Sequence, residues 1–197
     1  MTIEKGKDWG RIVADRSGGE PIEGDLALEV GVEPDPDTWK RTSTWLELPL
    51  DVLDVTFTFT DGTSSRHSTT GSVVCGRSAW GEFCIVASTS FVKGRRIFDR
   101  AHPNDGRLDW LRFAPTMTFR QRLAFTRRTR LGTHLPHPDV KTGTGRTYET
   151  TFGRPVNAYI GEKRFRGVIA LSVALIPDGT ITHIPADGVE ADRGDLL

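Results

Sequence analysis

From Trp45 onward, apolar and polar residues alternate in short runs. In the segment 51–60, DVLDVTFTFT, Val55, Phe57 and Phe59 alternate with Thr56, Thr58 and Thr60. A period of two predicts a strand with one buried face. Asp61-Gly62 follows as a hairpin-turn dipeptide. Short apolar runs at 72–75 and 83–87 are separated by Gly76 and Gly81, and 108–113 reads as another strand. Residues 147–152, 156–160, 165–176 and 180–184 continue the series, with tight turns expected at Gly161-Glu162 and Asp178-Gly179. Short strands punctuated in this way predict a mainly β chain, an antiparallel sandwich or barrel.

Two segments break the pattern. Thr116 or Thr118 can cap a helix in which Phe119 and Leu123 sit four apart and which Gly132 ends. The expected helix spans Thr118–Arg130 and carries Arg120, Arg122, Arg127, Arg128 and Arg130. Residues 1–45 show no long period and are rich in Gly and Pro. They read as a loop-rich leader with a short strand or helix at 25–32, ahead of a β domain over 46–197.

Composition narrows the class. The chain has 197 residues, 37% hydrophobic and 26% charged, enough to bury a core without a disulfide or metal. No apolar run reaches the ~18–20 residues of a membrane span. The start, MTIEKGKDWG, has no apolar core of a secretion signal, so a cytoplasmic protein is expected. Cys75 and Cys84 are then expected reduced and buried rather than bridged. Charge is balanced overall, 26 acidic against 26 basic residues, but not locally: residues 1–60 carry a net −7 and residues 91–146 a net +9. Separate acidic and basic surfaces follow, facing each other or an anionic partner.

General catalytic signatures such as GxSxG, a phosphate-binding P-loop, HExxH and CxxC are absent. His134 and His137, in HLPHP, flank an extended segment that points their rings apart, which favours structural roles over metal binding. In AHPNDGRLDW, 101–110, the turn Asn104-Asp105-Gly106 with Asp109 beyond it can hold a hard cation, or can be an Asx-type turn entering a strand. Glu162, at an expected hairpin tip, is either a general base or a solvated turn residue. The arginine helix suits phosphate groups of lipid or nucleic acid, or pairs with the acidic leader.

Taken together, GRRIFDRAHPNDGRLDWLRF, TFRQRLAFTRRTRLGTHLPHPDV and PVNAYIGE resemble, in order and spacing, three segments of the diacylglycerol kinase-like bacterial lipid kinases. The likeness covers about residues 68–185, the β-sandwich domain of that family. GKDWG, GGEPIEGDLALEVG and ELPLDVLDV resemble a shortened subgroup of the superfamily. The resemblance implies a two-layer antiparallel β-sandwich with one basic helix. It places Glu162 at the position of the family's base on the lipid hydroxyl, although Ile160 replaces the acid of the family's DGE turn. It places Asp105 at a structural magnesium site, completed by the main-chain carbonyls of His102 and Arg107. Gly24 and Asp25 stand near the family's nucleotide loop, but the GGDGT motif and the α/β domain around it are missing, so ATP is not expected as a cofactor.

The implied protein is a non-catalytic or partner-dependent lipid-kinase homologue. It would bind a lipid or other anionic ligand through Arg120, Arg127, Arg128, Arg130, Gly24 and Asp25, peripherally at an anionic membrane. One alternative is a lipid phosphotransferase completed by a homodimer or a separate subunit. Another, from a different class, is a module binding anions or nucleic acid.

Overall fold

The computed structural model describes residues 11–13, 24–30, 45–129 and 134–185. Most of the leader lies outside them, and so does Arg130. Strand β1 (Arg11–Val13) and helix α1 (Gly24–Val30) come first. They are followed by β2 (Trp45–Phe59), β3 (Ser64–Thr69), β4 (Ser72–Arg77), β5 (Trp80–Ala87), the small hairpin β6 (Phe91–Val92) and β7 (Arg95–Arg96), and β8 (Leu108–Phe113). Helix α2 (Phe119–Arg128) then precedes β9 (Val140–Gly145), β10 (Thr147–Ile160) and β11 (Lys163–Pro185).

One antiparallel sheet of nine strands runs β1-β2-β11-β10-β4-β5-β8-β9, with β3 also pairing with β2, on the same edge as β1 and farther along it. It makes two layers by folding at β10. Residues Thr147–Thr151 of β10 pair with β11, the register slips between Thr151 and Val156, and Ala158–Ile160 bridge β11 and β4. Such irregularities bend a strand. As a result β8 lies against β10, three strands away in sheet order: Trp110 meets Tyr148 at 5.0 Å between ring centroids, and Arg112 donates to the Thr151 carbonyl. The inward faces enclose one core, with Leu53, Val55 and Phe57 of β2 against Cys75, Val86 and Leu108 of the other layer. Cys75 and Cys84 are free thiols, fully buried and directly opposite each other on β4 and β5.

The expected turn at Asp178-Gly179 is not a turn between strands. β11 stays paired with β2 on both sides of it, Ile176 with Val52 and Thr180 with Leu50. Three residues of β11 therefore oppose Asp51 alone, and Asp178 takes a left-handed φ of 49°. The segment is a bulge, because β2 runs straight through and offers no reversal for β11 to follow. Likewise 147–152 with 156–160, and 165–176 with 180–184, are each one long bent strand.

Helix α1 packs Ala27 and Val30 on Trp45, Leu46, Leu48 and Ile184, at one end of the β2–β11 pair. Helix α2 covers the outer face of β4, β5 and β8. Thr118 caps it in a reciprocal box with Gln121, whose side chain also donates to Asp139 at 2.7 Å. Its burial runs against the apolar pattern. Phe125 and Arg122 are inward, the guanidinium of Arg122 lying over the Phe113 ring and its Nε donating to the Met117 carbonyl. Phe119 and Leu123 are exposed. No helix among the described residues is long and apolar enough to cross a membrane.

Candidate functional site

The alternation that fills the core from one face of β4 and β5 leaves Val74, Phe83 and Ile85 on the other. With Phe113, Phe125 and Tyr159 they line a groove of about 490 Å³, bounded by α2 on one side and the β6–β7 hairpin on another. Three cations stand around it. Arg77 lies 5.4 Å from the Trp80 ring, Lys93 has its ammonium 4.7 Å above the Tyr159 ring, and Arg95 donates to the Thr126 carbonyl at 3.2 Å. None forms an ion pair with a carboxylate among the described residues. The groove floor passes over Gly76, whose φ of 82° suits the register slip between β4 and β5. A Cβ there would collide with the Glu82 carbonyl, so glycine is required for the two strands to close. A second, wider hollow adjoins at Gly76 and Arg77 and is walled by Trp80, Pro115 and Arg154.

A cluster of acids forms where the 102–107 turn docks on β2. Asp51, only 1% exposed, accepts the Gly106 N–H at 2.8 Å and the Asp178 N–H at 3.2 Å. Its own N–H donates to the Pro103 carbonyl at 2.8 Å. Asp105 accepts the Arg107 N–H at 2.9 Å, and Asn104 donates to Asp178 at 2.6 Å. Burial pushes the Asp51 and Asp105 carboxyls up, against main-chain N–H groups that pull them down, and each is raised further by a neighbouring acid. Asp109 is pushed up to about 6, by burial first and by the charge of Asp105 second. The oxygens are of the hard kind a divalent cation takes, and the charge of Arg107 balances part of the Asp105 and Asp109 charge. Among the described residues no three His, Cys, Asp or Glu side chains converge to hold one. The ligands that the resemblance implies, Asp105 with the main-chain carbonyls of His102 and Arg107, all belong to this turn.

The remaining expected residues are dispersed. Glu162 is exposed in the β10–β11 turn, next to Gly161 at φ 55°. It stands in another turn from the acid cluster: from Ile160, just before that turn, the sheet passes through Val73 and Val86 to Trp110, the neighbour of Asp109. Both carboxylate oxygens of Asp25 are taken by main-chain N–H groups, of Lys93 at 2.7 Å and Gly94 at 2.6 Å. Gly24 precedes it with φ 63°. Asp25 thus fastens α1 to the β6–β7 hairpin, and Glu29 does the same one turn later through Ser90. Arg120, Arg127 and Arg128 are exposed on α2. His134 is buried with Nε2 2.8 Å from the Ile97 carbonyl, and Nδ1 of His137 accepts the Asp139 N–H. Each histidine thus has one ring nitrogen engaged with the main chain.

The groove itself is absent from the sequence reading. Its apolar members look like ordinary strand positions, and its cations come from two separate hairpins, Arg77 at the end of β4 and Lys93 and Arg95 in β6–β7. Asp51 is hidden in the same way, as one polar position in an alternating strand. Only Asp178, set beside Gly179, carries a local signal.

No family model matches the chain, and no curated protein matches it. Solved structures do. Two candidate diacylglycerol kinases of Bacillus anthracis are similar to it with a TM-score of 0.41 each. They are 13% and 11% identical over 68% and 82% of this chain, and over 40% and 50% of their own. A third structure, of a diacylglycerol kinase from the same organism, is 13% identical over 69% of this chain and 42% of that one, with a TM-score of 0.31. The chain thus spans half or less of their length. These are proteins of the kind its motifs resemble. At such identities the likeness assigns no activity, substrate or partner to this chain.

Proposed function

We propose that this chain binds an anionic amphipath, a lipid with a phosphate head group, in the groove between α2 and the β6–β7 hairpin. One observation carries the reading: an apolar groove of about 490 Å³ has Arg77, Lys93 and Arg95 around it, without carboxylate partners among the described residues. Acyl chains gain roughly 25 cal/mol per Å² on leaving water for such a wall. The head group meets two guanidiniums, which suit phosphate oxygens, and one ammonium. In this reading the chain is a non-catalytic or partner-dependent homologue of the lipid kinases. Magnesium at Asp105, with the His102 and Arg107 carbonyls, would tie the 102–107 turn to β2 and supply charge balance there rather than chemistry.

Calorimetry with a short-chain phosphatidate kept below its micelle concentration tests the reading. Saturable binding is expected. It should be weakened tenfold or more by Arg95→Glu, at about 1.5–3 kcal/mol per charged hydrogen bond. The matching short-chain diacylglycerol should bind more weakly. No binding of the phosphatidate, or equal binding of the two lipids, defeats the proposal. Saturable binding of magnesium–ATP in the same instrument would favour a phosphotransferase instead.

A further inference from the structure

The hollow beside the groove differs from it in chemistry. The two share Gly76 and Arg77, so they form one trough with two compartments. Arg77 divides the cations between them. Its guanidinium lies over the ring of Trp80, and Trp80 lines the hollow but not the groove. Arg77 therefore brings its charge to the hollow, where Arg154 of β10 is a second cation, while Lys93 and Arg95 line the groove alone. Neither Arg77 nor Arg154 has a carboxylate partner among the described residues. Glu82, the acid that lines the hollow, is already engaged. Its Oε1 accepts from Arg112 at 2.9 Å and its Oε2 accepts the Gly153 N–H at 2.6 Å. Trp80 is 60% exposed, although so large a ring is ordinarily well covered. The hollow encloses about 750 Å³, room for a group of some size.

We propose that the hollow holds the outer part of the head group: a polyol ring bearing a second phosphate, beyond the phosphate that the groove receives. The proposal rests on the lipid reading of the groove and names the lipids it selects. Charge complementarity carries it. Cations in two adjoining compartments match two anionic groups on one molecule. Lys93 and Arg95 meet the phosphate next to the acyl chains, and Arg77 and Arg154 meet the outer one, each guanidinium able to take two phosphate oxygens. Trp80 supplies the wall for the ring, its electron-rich face attracting the C–H groups of a saturated ring. The side chains of the hollow choose a polyol over a nucleobase. Arg77, Arg154 and Trp80 only donate hydrogen bonds, Asn157 does both, and Glu82 is already bonded. A nucleobase presents N–H donors that need acceptors, whereas hydroxyl and phosphate oxygens accept from every donor there. Phosphatidate ends at its one phosphate and leaves the hollow unused. A lipid with the longer head group gains the contacts of both compartments.

The test is calorimetry of the whole chain with three short-chain lipids below their micelle concentrations: phosphatidylinositol 4-phosphate, phosphatidylinositol and phosphatidate. The first should bind tenfold or more tighter than either of the others, the gain expected of charged hydrogen bonds to one further phosphate. Arg154→Gln and Trp80→Ala should each remove that preference, bringing phosphatidylinositol 4-phosphate to the affinity of phosphatidate. Both side chains are exposed, so both variants should keep the wild-type melting temperature. Inositol 1,4-bisphosphate has the ring and both phosphates but no acyl chain. It should compete with the lipid, and it should change the tryptophan fluorescence of the wild type but not of Trp80→Phe. Equal affinity for phosphatidylinositol 4-phosphate and phosphatidate overturns the proposal and leaves the groove reading in place. So does a preference that survives in both variants, or a fluorescence change that persists in Trp80→Phe. Tighter binding of a short-chain lipid with a nucleotide head group overturns the choice of a polyol. Binding of inositol 1,4-bisphosphate through Trp80, with no binding of phosphatidate, would instead remove the groove reading and keep the hollow as a site for a free phosphorylated polyol.

Discussion

Asp109 at the head of β8 shows what a folded environment does to one carboxyl. Its value of about 6, against an ordinary 3.8, means the folded chain keeps a proton there that the unfolded chain has already released. Between these two values the folded state binds more protons, so this group's contribution to stability falls as pH rises through the window. In the presence of a chelator, Asp109→Asn should therefore gain melting temperature relative to wild type as pH goes from about 4 to about 7. A difference between the two proteins that ignores pH would show that the carboxyl is not strained. Added magnesium at neutral pH should recover the wild type, and should do less in Asp105→Asn. Asp105 was legible in the sequence because an Asn-Asp-Gly turn announces itself locally. Asp51, the most buried member of the same cluster, was not: its partners Gly106 and Asp178 are 55 and 127 residues away.

Among the elements, the strands followed from their period of two, and α2 from its cap. Their lengths did not follow, because a bulge such as that at Asp178 looks in sequence like a chain reversal. The orientation of α2 was equally hidden. Phe119 and Leu123 share a helix face by their spacing, but it is Arg122 and Phe125 that pack on the Phe113 ring. A buried guanidinium costs burial energy, which here depresses the Arg122 value. The Met117 carbonyl and the aromatic face offset part of that cost. Because α2 has so few apolar anchors, its cap carries a large share of its hold. Thr118→Ala removes the hydroxyl that accepts the Gln121 N–H, leaving the residue's own N–H to donate to the Gln121 side chain, and should cost about 1 kcal/mol of stability. Chemical denaturation of this variant should show a lowered midpoint with an unchanged slope. A midpoint equal to wild type would mean that packing alone fixes the helix.

At the scale of the whole molecule, the acid cluster is gathered from distant parts of the chain, Asp51 from the acidic segment 1–60, Asp105 and Asp109 from the basic segment 91–146, and Asp178 from near the end. The acidic cluster caps the turn that meets β2, whereas the basic groups gather on α2 and around the groove beside it. The two layers between them are a single sheet bent at β10, so neither layer can be peeled away without opening the other. Cys75 and Cys84 sit at the centre of that closed body. Contact with its neighbour, then burial, raises the Cys75 thiol well above its ordinary range, which leaves it protonated and unreactive. The pair is consequently a built-in clock. A thiol reagent can mark these residues only during moments when the sandwich parts, so its rate at high reagent counts openings directly. The two sulfurs should be marked together, at the rate of global unfolding and far more slowly than an introduced surface thiol. Rapid marking of one alone would mean that β4 and β5 open as a flap while the remainder stays shut.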